Sequence, residues 1–186
     1  MSESLRRLFV VWHRWIGLGS AALLAFIGVT GAAFLVPAPK WVRENLEELH
    51  VNLMIPGVGK WIVIASTVAA LLLEASGLYL WWKRKSLAVR WRSGWRLLAY
   101  DLHHVIGAGL FVIMLLLAGT ALGRVAVRPF FPPSSVVVKS ANVLHTGLRF
   151  PAPVKFVYIL GGLGFLVQGI TGLVMWWPSR SRISQD

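Results

Sequence analysis

Apolar residues in this chain are gathered into four blocks, near Val10–Val36, Trp61–Trp82, Leu102–Leu122 and Val154–Trp177. Each is about 20 residues or longer, enough for a helix to cross about 30 Å of hydrocarbon. Inside a bilayer a spanning backbone must satisfy its own hydrogen bonds, so each block predicts a helix. Composition agrees: 56% of residues are hydrophobic and 14% charged, whereas soluble domains run nearer half apolar and a quarter charged. Mean hydropathy is +0.67. The expected fold is therefore an all-α membrane protein, a four-transmembrane-helix bundle. Tryptophans at the span ends (Trp12, Trp15, Trp41, Trp61, Trp81, Trp82, Trp176, Trp177) form the expected interfacial belts. The chain contains no cysteine, which excludes a disulfide scaffold and iron–sulfur or thiolate metal sites.

Net charge is +12, yet the basic residues cluster at the ends of the apolar spans, which suits a membrane surface better than nucleic acid. Eleven of the 19 lysines and arginines lie at the N-terminus (Arg6, Arg7, Arg14), in the central loop 83–100 (Lys83, Arg84, Lys85, Arg90, Arg92, Arg96) and at the C-terminus (Arg180, Arg182). The other two loops hold fewer, partly offset by Glu44, Glu47 and Glu48. This bias predicts that both termini are cytoplasmic. The lipid bilayer is the expected surrounding partner, with no role for nucleic acid. A cleaved signal peptide over residues 1–36 is disfavoured, because the first span has an internal copy.

That copy is visible by offset. A shift of 90 residues places His13, Gly17, Gly19 and Thr30 on His103, Gly107, Gly109 and Thr120. A shift of 95 places Leu49-His50 on Leu144-His145, then Leu53, Pro56, Lys60, Gly77-Leu78 and Trp81-Trp82 on their counterparts. The chain reads as one membrane domain of two units, about 10–82 and about 101–177. Both units start on the same side, as parallel repeats about an axis along the membrane normal.

Four of the five histidines occupy matched positions. His13 and His103 fall at the cytoplasmic ends of the first and third spans, and His50 and His145 on the outer side. A span of roughly 30 Å separates His13 from His50, so each shared ligand must be held by a pair that bridges the units. Two imidazoles with no thiolate or acidic ligand suit a haem iron, because a porphyrin supplies the four equatorial nitrogens. Zinc wants three or four protein ligands. Gly17 and Gly107 stand one turn inside His13 and His103, where a side chain would crowd a flat macrocycle, and Arg14 is placed to meet a propionate. Without Cys-x-x-Cys-His the haem would be non-covalent haem b, two per chain. The plainer alternative is that these histidines are interfacial polar residues and the glycines serve helix packing. His104, unmatched and about 100° around the helix from His103, is the fallback ligand.

His13-Arg14-Trp15-x-Gly17 followed by Thr30-Gly31, and Asp101-Leu102-His103-x-x-x-Gly107 followed by Thr120, resemble the PepSY-associated transmembrane family. So do Leu49-His50 and Leu144-His145-Thr146-Gly147, each followed by a helix ending Gly-Leu-x-x-Trp-Trp. The likeness covers all four spans. It implies a bacterial inner-membrane location and bis-histidine b haems carrying electrons outward, as in dihaem reductases of ferric siderophores. Larger members carry soluble periplasmic PepSY domains, whereas the outer loops here are short. The second unit also has Ala121 where glycine is expected and His104 where arginine is usual.

Glu74 in the second span and Gln168 in the fourth are either functional groups near a cofactor or proton path, or polar residues satisfied within the bundle. Arg124, Arg128, Lys139 and Arg149 make one outer loop basic, fit for an anionic ferric chelate, a periplasmic redox partner or lipid headgroups. Gly161-Gly162-Leu163-Gly164 and Gly57-Val58-Gly59-Lys60 follow no strand and are not nucleotide loops. Gly119-x-x-x-Gly123 is a helix-contact pattern. No flavin or nicotinamide site is visible, so the electron donor would be an external cytoplasmic flavin or reductase. The expected activity is a haem-dependent ferric-siderophore reductase. The alternatives are a cytochrome b subunit feeding a separate periplasmic oxidoreductase, and a haem-free membrane scaffold or assembly factor.

Overall fold

The computed structural model describes residues 3–82 and 85–177. Lys83, Arg84, Arg180 and Arg182, named above for the charge bias, lie outside the described residues. Among the described residues six helices run in order: α1 (Glu3–Ala33), α2 (Lys40–Asn52), α3 (Gly59–Trp82), α4 (Trp95–Val127), α5 (Val136–Thr146) and α6 (Ala152–Trp176). Four of them, α1, α3, α4 and α6, are long and apolar enough to cross a membrane. They match the four apolar blocks, with α4 extending beyond its block at both ends and α1 starting earlier and stopping before Pro37.

Proline sets the breaks. Pro37 and Pro39 close α1 and open α2, because the residue before a proline is driven out of the helical region. Pro151 caps α6, with Pro153 in its first turn, where a missing N–H costs nothing. The connections from α1 to α3 and from α4 to α6, expected as loops, each contain a short helix, α2 or α5, whose last turn carries a histidine. α5 is tied down firmly. Gly147 ends it in the left-handed region at φ 64°, where a Cβ would meet the Tyr158 ring, and the Tyr158 hydroxyl donates to the Leu144 carbonyl at 2.6 Å.

Each spanning helix touches two others, giving the ring α1–α3–α4–α6, with α1 against α6 the most extensive seam. Lipid is as apolar as leucine, so the seams are made by small residues and hydroxyls that let backbones approach. Buried positions include Ser20, Gly28, Thr30, Ser66, Ser76, Ala118, Gly161, Gly162 and Thr171. At the α1–α6 crossing a Cβ on Gly162 would come 2.6 Å from the Gly28 carbonyl oxygen, and a Cβ on Gly28 would collide with that of Gly162. Leu24, Ala70 and Ala118, with Leu71, Leu73 and Phe165 packed against them, fill the middle of the bundle. Outward-facing side chains are bulky and exposed, as at Leu72, Val112 and Phe156.

Candidate functional site

The four matched histidines form two pairs at opposite ends of the bundle. At the terminal end, where α1 begins and α6 finishes, the rings of His13 (α1) and His103 (α4) have centres 6.2 Å apart and planes at 89°. At the other end His50 (α2) and His145 (α5) have centres 6.1 Å apart and planes at 36°. A nitrogen bound to a metal lies about 2.0–2.1 Å from it; adding about 1.1 Å to each ring centre, two imidazoles flanking one ion are about 6 Å apart. Both pairs meet that spacing.

The hydrogen bonds fix which nitrogen is available. Ser76 Oγ donates its single proton to the Leu72 carbonyl at 2.6 Å, so towards His13 Nδ1, 2.8 Å away, it can only accept. Thr171 Oγ1 donates to the Val167 carbonyl at 2.7 Å and accepts from His103 Nδ1 at 2.9 Å. At the other end His50 Nδ1 donates to the Ile27 carbonyl at 3.0 Å and His145 Nδ1 to the Leu117 carbonyl at 3.1 Å. Thr30 and Thr120 hydroxyls stand beside these contacts at 3.2 and 3.3 Å. All four imidazoles thus carry the proton on Nδ1 and keep the Nε2 lone pair for a ligand, the arrangement that outer-shell carbonyls and hydroxyls impose on metal-binding histidine. Every supporting residue sits 90 or 95 positions from its counterpart: Ser76 and Thr171, Ile27 and Leu117, Thr30 and Thr120.

Burial holds His50 below its ordinary pKa and His145 down to about 4, in both cases reinforced by the Arg124 charge, so both rings are neutral donors at pH 7. Glycines make room for the rings. A Cβ on Gly31 would stand 2.9 Å from His50 Cε1, and one on Gly77 3.3 Å from His13 Cε1. Among the described residues no cluster of three or more His, Cys, Asp or Glu side chains is placed to hold a metal ion. Each pair therefore offers two protein ligands.

Between α1, α3, α4 and α6 at the terminal end lies a cavity of about 570 Å³, within the size range of cofactor sites. His13 and His103 line it, with Gly17 and Gly107, Leu24, Ala70 and Phe165 among its apolar wall. Arg6, Arg14 and Arg96 also border it. Arg14 lies over the Trp15 and Trp176 rings at 5.4 and 5.9 Å, and Arg96 donates to the Met175 carbonyl at 2.9 Å. Trp81, in the same wall, has a buried indole N–H with no acceptor. Both glycines border the cavity: a Cβ on Gly17 would stand 3.7 Å from Leu73 Cδ2, and one on Gly107 3.1 Å from Gln168 Nε2. Gln168 donates to the His103 carbonyl at 3.0 Å, and Glu74 lines the cavity. His104 is turned back on its own helix, its Nδ1 donating to the Tyr100 carbonyl at 2.8 Å and its ring against Tyr100; His103 is the residue that faces His13.

Sequence reasoning marked the histidines but missed Ser76 and Thr171. Their signal was present as a hydroxyl one residue before each matched Gly-Leu pair.

A family model for the PepSY-associated TM region matches residues 37–129. The match runs from α2 through α4 and includes His50 and His103, one histidine of each pair. No curated protein and no solved structure matches the chain. The chain belongs to the PepSY-associated transmembrane family.

Proposed function

We propose that each histidine pair holds one b-type haem and that the bundle carries single electrons across a bacterial cytoplasmic membrane, from the terminal end outward. The observation that supports this best is the repeated pair: two imidazoles about 6 Å apart, each with Nδ1 pinned, at both ends of one bundle. A haem held by such a pair would supply reversible one-electron chemistry.

The residues present fit that group. His13 and His103 would hold the haem at the terminal end, and His50 and His145 the one at the other end. Ser76, Thr171 and the Ile27 and Leu117 carbonyls hold the rings in one tautomer. Arg6, Arg14 and Arg96 offer positive charge to propionates at the cavity edge. Leu24, Ala70, Ala118 and Phe165 keep water out of the layer between the sites. His13 and Ile27, whose carbonyl receives His50, are separated on α1 by about 21 Å of helix rise. None of these residues needs to act as acid or base.

In this reading both termini are cytoplasmic and an external flavin or reductase supplies electrons beside Arg90, Arg92 and Arg96. The acceptor is an anionic ferric chelate of the siderophore type, attracted by Arg128, Lys139 and Arg149. Reduction releases iron because Fe(II) binds hard oxygen ligands less tightly than Fe(III).

The test is an optical spectrum of the detergent-purified protein, oxidised and dithionite-reduced, with a pyridine haemochrome count. Two haems with six-coordinate b-type bands are expected, His13→Ala and His103→Ala each losing one and His50→Ala and His145→Ala the other. Protein that stays colourless after haem reconstitution refutes the proposal. Haem-loaded, reduced protein that no ferric chelate reoxidises refutes the reductase part alone.

A further inference from the structure

At the α2/α5 end the two halves differ at one position that bears directly on ligand binding. Phe34 on α1's side packs its ring 6.3 Å from that of His50. Ninety residues on stands Arg124, in the last turn of α4. Among the described residues its buried Nε has no hydrogen-bond partner and no carboxylate lies within ion-pair distance of its guanidinium. Arg124 stands one helical turn beyond Thr120 on α4, whose hydroxyl lies 3.3 Å from His145 Nδ1, and its charge acts on both His145 and His50. The charges that act on it are Arg128, one turn on, and Glu47 of α2. A guanidinium has five N–H donors and no way to discharge them by losing a proton. Leaving a buried donor unmatched costs free energy, and the planar fork is matched best by a carboxylate.

We propose that Arg124 is the cationic half of a carboxylate-binding site beside the His50–His145 pair. The carboxylate has two sources of the same chemistry: a propionate of the haem proposed above, or a carboxylate of an external chelate. Only the first source rests on the haem reading. Phe34 cannot play the same part, so the site takes one carboxylate on the α4 side of the pair.

The experiment uses the full chain in lipid nanodiscs, as wild type, Arg124→Gln and Arg124→Lys. In a His13→Ala background, which leaves the His50–His145 pair as the haem site, haem-free protein is titrated with haem and with haem dimethyl ester. If the carboxylate is a propionate, the free acid is preferred by about tenfold to hundredfold. Arg124→Gln brings that ratio near one, and Arg124→Lys, which keeps the charge without the fork, recovers part of it. In a second arm citrate is titrated calorimetrically into haem-free and haem-loaded protein. Citrate binding that Arg124→Gln abolishes assigns the site to an external carboxylate. If neither the ester ratio nor citrate binding depends on Arg124, the proposal is overturned; a loss of thermal stability in Glu47→Gln would then identify Glu47 as its counter-charge. Should the wild type take up no haem, the haem reading fails, and the citrate arm alone decides the carboxylate site. Arg124→Lys decides either arm if Arg124→Gln does not fold.

Discussion

Ser76→Ala isolates the contribution of one hydroxyl to the terminal-end site. The Ser76 oxygen is the hydrogen-bond partner of His13 Nδ1, at 2.8 Å, and Ser76 is itself buried. Alanine removes the acceptor, fills no new space, and leaves the Leu72 carbonyl with its ordinary helical partner. A buried N–H left without an acceptor costs about 1–3 kcal/mol. With a tenfold change per about 1.4 kcal/mol, haem affinity at this site should fall between about fivefold and hundredfold, in line with losses at other outer-shell partners of metal-binding histidine. The assay is haem titration of haem-free protein in a His50→Ala background, with the six-coordinate band as readout. Ser76→Thr should restore binding, because Thr171 makes the same contact to His103 at 2.9 Å. An affinity for Ser76→Ala within twofold of wild type, with the band unchanged, would refute the argument that Ser76 fixes the tautomer.

Other perturbations address the frame around the pairs. Gly162→Leu drives a branched side chain into the Gly28 carbonyl at the α1–α6 crossing; it should cost at least the 1–3 kcal/mol of ordinary overpacking, read as a lower thermal midpoint in detergent. His104→Ala should leave the haem count unchanged, whereas His103→Ala lowers it by one in the pyridine haemochrome assay. Gly31→Ala places a Cβ 2.9 Å from His50 Cε1, so the ring must move, and electron paramagnetic resonance of the oxidised protein should show a change in one low-spin signal only. Arg90 holds the segment before α4 through three hydrogen bonds to the Asp101 carboxylate, at 2.7, 2.9 and 3.0 Å. Arg90→Ala should therefore speed proteolysis between α3 and α4.

Much of this architecture is written in the sequence because lipid imposes a simple rule: an apolar run of sufficient length becomes a helix. The 90- and 95-residue offsets likewise identified which histidines stand together, and His13–His103 and His50–His145 are close in space. The short helices α2 and α5 were less legible. Neither has a long apolar run, and α2 packs a polar sequence, Lys40–Asn52, with no buried residue. Ser76 and Thr171 escaped notice because hydroxyls are common in spanning helices, where they usually bond to their own backbone, as these also do. The clearances at Gly17 and Gly107 depend on how α3 and α6 rotate, which no sequence offset reveals. Arg124 read as one basic loop residue among several; its buried, unmatched Nε appears only once α4 is seen to continue to Val127.

The division of each pair between the two halves has a consequence for biogenesis. His13 and His50 precede residue 83, and His103 and His145 follow it. On the proposed haem reading, a nascent chain with only its first half inserted would own one ligand for each site and could complete neither. Cofactor capture would then act as a rivet driven after assembly, its binding energy spent on clamping the halves rather than on either alone. Fragments 1–84 and 85–186, co-expressed, should come together more readily when haem is supplied than when its synthesis is blocked.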